Sequence, residues 1–329
     1  HSPLMTMAPR AGVYGIILFV AILAALLASL FLYRGAFRLL TSALMGGVFL
    51  ISWAASELEF VEPVGPKVDI ALLQGNVALS EKWKPGASHK IISHYAALSR
   101  DVVNDNAIIV WPEGAVPDSW QHVSDWFGLS LPARKDGSLP DYLIGAIDSS
   151  PYGDYYNAAI SISDKNMRAG SNGIYRKIHL VPFGEFLPFK PVFGWLIDYL
   201  KIPMSDFSSW QGPQPDITLA GWPVAVSICY EDAFGEELVR TIGDAAFLVN
   251  ISEDAWFGDS LAPHQRLQMA QIRAREAGRY FVRAANTGVT AVINERGEIT
   301  SRLPQFVTSV LSSEVLPMKG ITPYVRYGN

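Results

Sequence analysis

Cysteine is nearly absent from this sequence. The 329 residues contain one cysteine, Cys229, so the chain cannot form an internal disulfide. Protein zinc sites are usually built from several cysteines and histidines at short spacing, and the six histidines include no His-x-x-x-His pair. The sequence therefore predicts no metal site, and it directs attention to the single thiol.

Basic charge is also scarce. Lysine and arginine together number 26 against 31 aspartates and glutamates, which gives a formal net charge of -5. This balance gives no support for a nucleic-acid partner, which would require a basic surface. The sequence also has no glycine-rich loop of the kind that binds phosphate groups.

Long apolar runs are present near the N-terminus. Half of all residues are hydrophobic, and the mean hydropathy is positive because of these runs. Residues 12–33 carry no charge and are long enough to span a bilayer, and residues 39–56 form a second, shorter candidate. A buried core helix is the alternative, and it fits the second run better than the first. A cleaved signal peptide fits poorly because a second run follows directly.

The charges around these runs predict a topology. Arg34 and Arg38 lie in the short connection, which places it on the cytoplasmic side of a membrane, whereas acidic residues follow the second run and no basic residue occurs before Lys67. The remainder then lies outside the cytoplasm, which in a Gram-negative host is the periplasm. We therefore divide the chain into a transmembrane region, 1–62, and an extracytoplasmic domain, 63–329.

Strand and helix patterns alternate in the first half of this domain. Residues 68–73 and 107–111 have the composition of buried strands, and residues 90–103 between them have the apolar spacing of a helix. Turn residues within 142–162 and 290–303 predict two hairpins. The pattern is typical of an α/β domain with a mixed sheet and helices outside.

Cys229 lies where a predicted strand meets a predicted helix. Residues 224–228 are mostly apolar and β-branched, and residues 232–241 have glutamates early and an arginine late, as helices do. Such a turn presents a side chain at the edge of a sheet, which suits a nucleophile. The alternative role for a lone cysteine is that of a small buried hydrophobe.

Glu113 and Lys177 are the ionisable residues best placed to act with Cys229. Glu113 follows a predicted strand, and the ends of adjacent strands converge in space. A thiol with an ordinary pKa of about 8.5 needs a base, and a nearby lysine lowers the thiol pKa and stabilises an oxyanion. The three side chains form a complete set for acyl transfer through a thioester. Glu113 is also suited to capping a turn and Lys177 to a solvated surface, and His179 and His264 leave a Cys–His pair open.

Several separate motifs resemble those of the nitrilase superfamily, whose sites use glutamate, lysine and cysteine in that order. They are Trp111-Pro112-Glu113, the run YRKIHLVPFGE at 175–185, and Ile228-Cys229-Tyr230-Glu231. The likeness is greater to its membrane branch, the apolipoprotein N-acyltransferases, through HLVPFGEFLP, the DAWFGD loop at 254–259 and the apolar runs. The resemblance covers roughly residues 68–325.

The resemblance implies a fold and roles for individual residues. It implies a nitrilase-like α-β-β-α sandwich preceded by transmembrane helices, in a multi-pass protein of the bacterial inner membrane. Cys229 would be the nucleophile, Glu113 the general base and Lys177 the oxyanion stabiliser, without a metal or an organic cofactor. Supporting roles near the pocket would fall to three residues: Glu185, Tyr230 and Glu231.

The resemblance also implies the substrates. A phospholipid would donate an acyl chain through a cysteine thioester, and the N-terminal α-amine of a diacylglyceryl apolipoprotein would accept it in the last step of lipoprotein maturation. We expect a monomer that contacts the lipid bilayer. The alternatives are a membrane-anchored amidase or nitrilase that hydrolyses a small substrate, and a catalytically silent protein that binds lipid or lipoprotein.

The stretch 189–210 is apolar and aromatic without clean periodicity. We expect it to form a mobile flap over the acyl path, the alternative being an ordinary packed excursion. Trp120, Trp126 and Phe127 are weaker candidates for the same surface. The residues expected to contact lipid are Phe193, Trp195, Phe207, Trp210 and Trp256.

Two features depart from the family pattern. Glu253 stands where family members usually have asparagine, so we expect different hydrogen bonds in that loop. The family also has further membrane helices before and after the catalytic domain, so the chain resembles a truncated or partly represented member.

Overall fold

The computed structural model describes residues 3–56, 58–84, 86–163, 173–186 and 207–328. It begins with a helical hairpin made of α1, Ala8–Leu32, which follows a 3-10 turn at Pro3–Met7, and α2, Ala36–Ser56. Both helices are long and apolar enough to cross a membrane, and most of their apolar side chains are exposed rather than packed in a core. The apolar runs predicted from the sequence coincide with these two helices.

The rest of the described chain is built from short strands and helices. The strands are β1 Val61–Pro63, β2 Val68–Gln74, β3 Ile108–Val110, β4 Val116–Ser119, β5 Asp141–Ser149, β6 Tyr155–Ile162, β7 Ile174–Arg176, β8 Ile217–Leu219, β9 Trp222–Ile228, β10 Phe247–Ser252, β11 Phe281–Ala285, β12 Ala291–Ile293, β13 Ile299–Arg302, β14 Ser309–Val315 and β15 Met318–Gly320. The helices are α3 Leu79–Lys82, α4 Ala87–Arg100, α5 Trp120–Ser130, α6 Gly235–Ile242, α7 Ala262–Ala277 and α8 Pro323–Tyr327, with 3-10 turns at Cys229–Ala233 and Ala255–Phe257.

Two mixed sheets form the centre of the domain. The first has the order β14-β2-β3-β5-β6-β7, with β4 beside β5, and the second has the order β13-β12-β11-β10-β9-β8. Strands β2, β3 and β5 are parallel to one another, as are β9, β10 and β11. Both predicted hairpins are present, as β5 with β6 and β12 with β13.

The sheets pack face to face and each carries helices on its outer face. Ile70 and Val110 of the first sheet share a core with Val226 and Ile251 of the second. Helices α4 and α5 cover the outer face of the first sheet, and α6 and α7 cover that of the second. Parallel strands buried on both faces require almost continuous apolar sequence, which β2 and β10 have. The expected α-β-β-α sandwich is confirmed.

The strand directions gather polar residues at one edge of the first sheet. β7 is antiparallel to β6, and β6 is antiparallel to β5, so β7 runs in the same direction as β5 and β3. The residues that follow β3 and β7 therefore emerge at the same edge. Glu113 and Lys177 are two of these residues.

The helical hairpin contacts the domain near the start of α1. Gly12 has φ 59°, which breaks the regular helix, and the next amide, that of Val13, donates to Glu276 Oε1 at 2.7 Å. Glu276 is buried on α7. Strand β1 pairs with β15 and spans the expected division between residues 62 and 63. That division remains a prediction.

Candidate active site

Cys229 occupies a strained turn at the end of β9. Its φ is 53°, a left-handed conformation that costs energy in any residue other than glycine, and such outliers cluster at functional sites. The side chain is buried, and the carbonyl oxygen of Cys229 accepts a hydrogen bond from Asn250 Nδ2 at 3.1 Å. The prediction that Cys229 lies between a strand and a helix is confirmed, with a 3-10 turn separating it from α6.

Lys177 is fully buried beside two carboxylates. Its Nζ lies 2.8 Å from Glu185 Oε2 and 3.4 Å from Glu113 Oε1. Burial alone would lower the pKa of Lys177, but the charges of Glu113 and Glu185 outweigh burial and raise that pKa above its ordinary value. The side chain is therefore a fixed cation, and its alternative role as a solvated surface charge is wrong. We call Glu113, Lys177 and Glu185 the lysine cluster.

Glu113 is held by groups from three other segments. Its Oε2 accepts from the backbone amide of Glu253 at 2.7 Å, and its Oε1 accepts from Asn157 Nδ2 at 2.6 Å and from Lys177 at 3.4 Å. The carboxylate does not cap its own turn. The loop approaches β5 so closely that a Cβ at Gly145 would lie 2.3 Å from the Pro112 carbonyl oxygen. Only a glycine at this position leaves space for the loop that carries Glu113.

Glu185 completes the lysine cluster. Asn157 Nδ2 donates to Glu185 Oε1 at 2.8 Å as well as to Glu113, so one amide bridges the two carboxylates. The backbone amide of Val181 donates to Glu185 Oε2 at 2.8 Å. These bonds fix both oxygens of Glu185 against the lysine.

Glu231 connects the segment after Lys177 to the turn that carries Cys229. Its Oε1 accepts from the amides of Ile178 and His179, and its Oε2 accepts from the amide of Ile228 at 2.7 Å and from the Tyr175 hydroxyl at 3.0 Å. Burial raises the pKa of Glu231 to about 7, although the backbone amides act against this shift. The contacts brace the turn.

Glu253 joins its own loop to the loop of Glu113 through its carboxylate. Its carboxylate forms a buried ion pair with Lys82 and accepts from Asn286 Nδ2 at 2.8 Å. Lys82 Nζ also donates to the carbonyl oxygen of Glu113 at 3.1 Å, so the pair joins the loops of Glu253 and Glu113. Lys82 was missed by the sequence reasoning, because a lysine in a four-residue helix has the pattern of a surface residue.

A second ionic cluster, also missed, lies beside the thiol. Arg266 Nη1 is 3.4 Å from Cys229 Sγ, and the guanidinium also contacts Asp232 and Asp254. Arg283 pairs with the same two aspartates at 2.9 and 2.8 Å. We call these four residues, Arg266, Arg283, Asp232 and Asp254, the arginine cluster. One signal was available: on α7, Arg266 shares a helical face with small apolar residues that face the core.

The environment of the thiol keeps it protonated. Burial raises the pKa of Cys229 to about 11, Arg266 and Lys177 act to lower it, and Glu113 acts to raise it. At neutral pH the sulfur therefore carries its proton. It becomes a nucleophile only if a base removes that proton.

The residues expected to contact lipid are found in different settings. Phe207 lines an open cavity of about 650 Å³ beside the segment 178–182, and the supporting residue Tyr230 lines the same cavity. Trp256 is exposed after the Glu253 loop, whereas Trp210 packs against Arg176, with 4.4 Å between the guanidinium carbon and the ring centroid. Phe193, Trp195 and most of the predicted flap 189–210 lie outside the described residues.

Two of the three weaker candidates for the lipid surface were wrong. Phe127 is fully buried against Trp111, and Trp120, at the start of α5, packs against Phe127 in the same cluster. The side chain of Trp126 lies outside the described part of the chain. Helix α5 covers the first sheet, so its apolar face forms core rather than a lipid-contacting surface.

Known proteins resemble the chain over its whole length. It is 42% identical to an apolipoprotein N-acyltransferase of Nitrosomonas europaea and 40% identical to one of Methylococcus capsulatus, over 100% and 99% of the chain. These alignments confirm the resemblance expected from the motifs. In both cases the chain spans 64% of the length of the relative.

The fold has solved counterparts. A carbon-nitrogen hydrolase from Helicobacter pylori superposes with a TM-score of 0.54 at 15% identity, covering 75% of this chain and 88% of that one. A family model described as carbon-nitrogen hydrolase matches residues 69–319. Because that match extends over most of the chain, the chain belongs to the carbon-nitrogen hydrolase family.

Proposed function

We propose that the chain carries the catalytic domain of an apolipoprotein N-acyltransferase. The observation that carries this proposal is a buried Cys229 thiol within electrostatic range of the paired Glu113 carboxylate and Lys177 ammonium, in a domain preceded by two helices fit to cross a membrane. The relatives that share over a third of the sequence bear the same name. The donor is a phospholipid, and the acceptor is the N-terminal amine of a diacylglyceryl apolipoprotein.

The first half-reaction forms a thioester on Cys229. Glu113 takes the thiol proton, which a sulfur with a pKa of about 11 does not release unaided at neutral pH. The sulfur attacks the ester carbonyl carbon of the phospholipid, and Lys177 with the backbone amide of Tyr230 stabilises the oxyanion. The ester C–O bond then breaks, Glu113 returns the proton to the leaving oxygen, and a lysophospholipid departs.

The second half-reaction transfers the acyl chain to the lipoprotein. The free amine attacks the thioester carbonyl, Glu113 takes a proton from nitrogen, and the C–S bond breaks as the amide forms. The sulfur then regains a proton from Glu113, which restores the starting state. A thioester suits this exchange because an amine converts it to a more stable amide.

The supporting residues have distinct tasks in this scheme. Glu185 keeps Lys177 oriented, Glu231 braces the turn of Cys229, and Tyr230 borders the cavity that admits the acyl chain. Phe207 and Trp256 contact lipid, as do Phe193, Trp195 and Trp210. The protein acts as a monomer without cofactor, as a multi-pass protein of the bacterial inner membrane whose domain faces the periplasm.

The alternatives make different predictions. A membrane-anchored amidase or nitrilase would form its adduct from a small amide or nitrile and release it to water. A silent lipid-binding protein would not need Cys229 at all. The ion pairs around the thiol argue against the silent protein, because buried charges without a chemical role are costly.

Intact-protein mass spectrometry tests the proposal. The full-length protein is incubated with phosphatidylethanolamine in detergent, beside the Cys229→Ala variant as the matched control. We expect a mass gain of one acyl chain that hydroxylamine removes and that the variant does not show. Absence of an adduct on the folded full-length protein, with an adduct from a small amide, would favour the hydrolase and overturn the acyltransferase.

A further inference from the structure

The sulfur of Cys229 has a cationic neighbour outside the lysine cluster. Arg266 Nη1 lies 3.4 Å from Sγ, within the range in which a guanidinium N–H donates to sulfur. Arg266 is almost completely buried, so water screens this contact weakly. Among the described residues, Arg266 is the one whose side chain donates a hydrogen bond to the sulfur, while the thiol itself points its own bond to the carbonyl oxygen of Glu253.

The rest of the guanidinium is fixed in place before any reaction. Arg266 Nη1 also contacts Ser252 Oγ at 2.9 Å and Asp254, and Nη2 lies 3.2 Å from Asp232 Oδ2. Arg283 neutralises the remaining charge of both aspartates. The arginine therefore need not reorganise when charge develops on the sulfur, which is the condition under which an electrostatic contact accelerates a reaction most.

We propose that Arg266 is a further catalytic residue, which stabilises the sulfur of Cys229 as a thiolate in both half-reactions. The role in acyl transfer rests on the function proposed above, whereas the effect on the thiol does not. In the first half-reaction the proton moves from sulfur to Glu113, and Arg266 keeps its own protons while its N–H bond to sulfur strengthens. In the second, the same bond stabilises the thiolate that leaves as the amide forms.

This assignment divides the work between the two cations at the site. Lys177 lies against Glu113 and Glu185 and serves the carbonyl oxygen of the substrate. Arg266 belongs to the arginine cluster and stabilises negative charge on the sulfur. Both act to lower the pKa of Cys229, which burial holds near 11, and Arg266 has the larger effect of the two.

Alkylation of the single cysteine tests the thiol effect directly. The second-order rate with iodoacetamide at about pH 8 is compared between the full chain in detergent and its Arg266→Gln variant, and the thiolate absorbance gives the pKa. We expect the thiol pKa to rise by about one unit or more, which cuts the thiolate fraction roughly tenfold. Because a more basic thiolate is also more nucleophilic, the alkylation rate falls less, by about threefold.

Two further variants distinguish an effect on the thiol from a loss of folding. Arg266→Lys retains a cation that pairs with the aspartates but cannot reach both them and the sulfur, so we expect an intermediate pKa. Arg273→Lys is the matched control, since Arg273 is buried on the same helix and pairs with Glu276 away from the thiol. Thermal unfolding confirms that each compared variant is folded. A thiol pKa equal to that of the parent in both Arg266 variants would overturn the proposal.

Acyl transfer is measured separately on the same proteins. We expect slower thioester formation from phosphatidylethanolamine and slower resolution of the thioester by an amine in Arg266→Lys, with Arg273→Lys close to the parent. If the parent forms no thioester but the thiol pKa rises in the Arg266 variants, the proposed function fails and the effect of Arg266 on the sulfur stands. If thioester formation and resolution are unchanged while the parent is active, the catalytic role is wrong.

Discussion

The lysine cluster and the arginine cluster flank the same thiol but differ in charge balance. The lysine cluster sets two carboxylates against one cation, whereas the arginine cluster sets two aspartates against two arginines. A cluster with an excess of negative charge can accept a proton without becoming positively charged overall. A neutral cluster, in which every charge is paired, would become positively charged. The difference indicates that the lysine cluster handles protons and that the arginine cluster holds the geometry and polarises the sulfur.

The largest expected effect comes from removing the base of the lysine cluster. Glu113→Gln preserves the shape of the side chain but cannot take a proton, so thioester formation should slow by about 100- to 10,000-fold. Single-turnover mass spectrometry of the acyl adduct measures this rate. Glu185→Gln removes the same charge from the same cluster and should slow the reaction less. Equal losses in the two variants would mean that charge, and not proton transfer, is what the cluster supplies.

Removing a charge from the arginine cluster should act mainly on stability. Arg283→Met leaves two buried aspartates with one arginine, and breaking a buried pair typically costs about 3–5 kcal/mol. Thermal or denaturant unfolding in detergent measures the loss. Because Arg266 remains beside the sulfur, the alkylation rate of Cys229 in the variant that remains folded should fall less than in Arg266→Gln. A stable variant with a strongly slowed thiol would reverse the division of roles between the clusters.

The sequence predicted the lysine cluster better than the arginine cluster, and the reason is locality. Glu113, Lys177 and Cys229 each lie in a recognisable motif beside a strand or a Gly/Pro-rich loop. The partners of Arg266 and Arg283 are carried by loops and turns elsewhere in the chain, and a lone arginine in a helix or a strand has no such motif. A buried arginine therefore resembles a solvated one until its partners are known.

Prediction of the fold from the sequence is limited in the same way. The alternation of strands and helices predicted an α/β domain with a mixed sheet, and it placed both hairpins correctly. From pattern alone, one sheet was expected, and the two-sheet sandwich came from the family resemblance. The pairing of β14 with β2 joins residues 309–315 to residues 68–74, and no local pattern encodes a contact over that distance. Trp120 and Phe127 of α5 were misplaced for a related reason, since exposure depends on what packs against a helix.

The smallest expected effect concerns Glu231, which joins the segment after Lys177 to the turn of Cys229. Burial raises its pKa from an ordinary 4.5 to about 7, so the folded protein binds this proton more tightly than the unfolded chain does. The contribution of Glu231 to the free energy of unfolding is therefore most favourable below pH 4.5, falls as the pH rises toward 7, and then stays constant, a total change of about 3 kcal/mol. Glu276, buried on α7, has a pKa raised to about 7 for the same reason, and it adds a similar decrease of the unfolding free energy with rising pH.

Unfolding as a function of pH separates these two glutamates. Glu231→Gln should flatten the slope of the unfolding free energy between about pH 4.5 and 7 by roughly half, and Glu276→Gln should do the same from the other side of the domain. Only the Glu231 variant should also slow thioester formation, because Glu231, unlike Glu276, holds the turn of Cys229 through the amide of Ile228. A steeper slope in Glu231→Gln would show that its carboxylate is ionised in the folded protein. The amides of Ile228, Ile178 and His179 would then outweigh its burial.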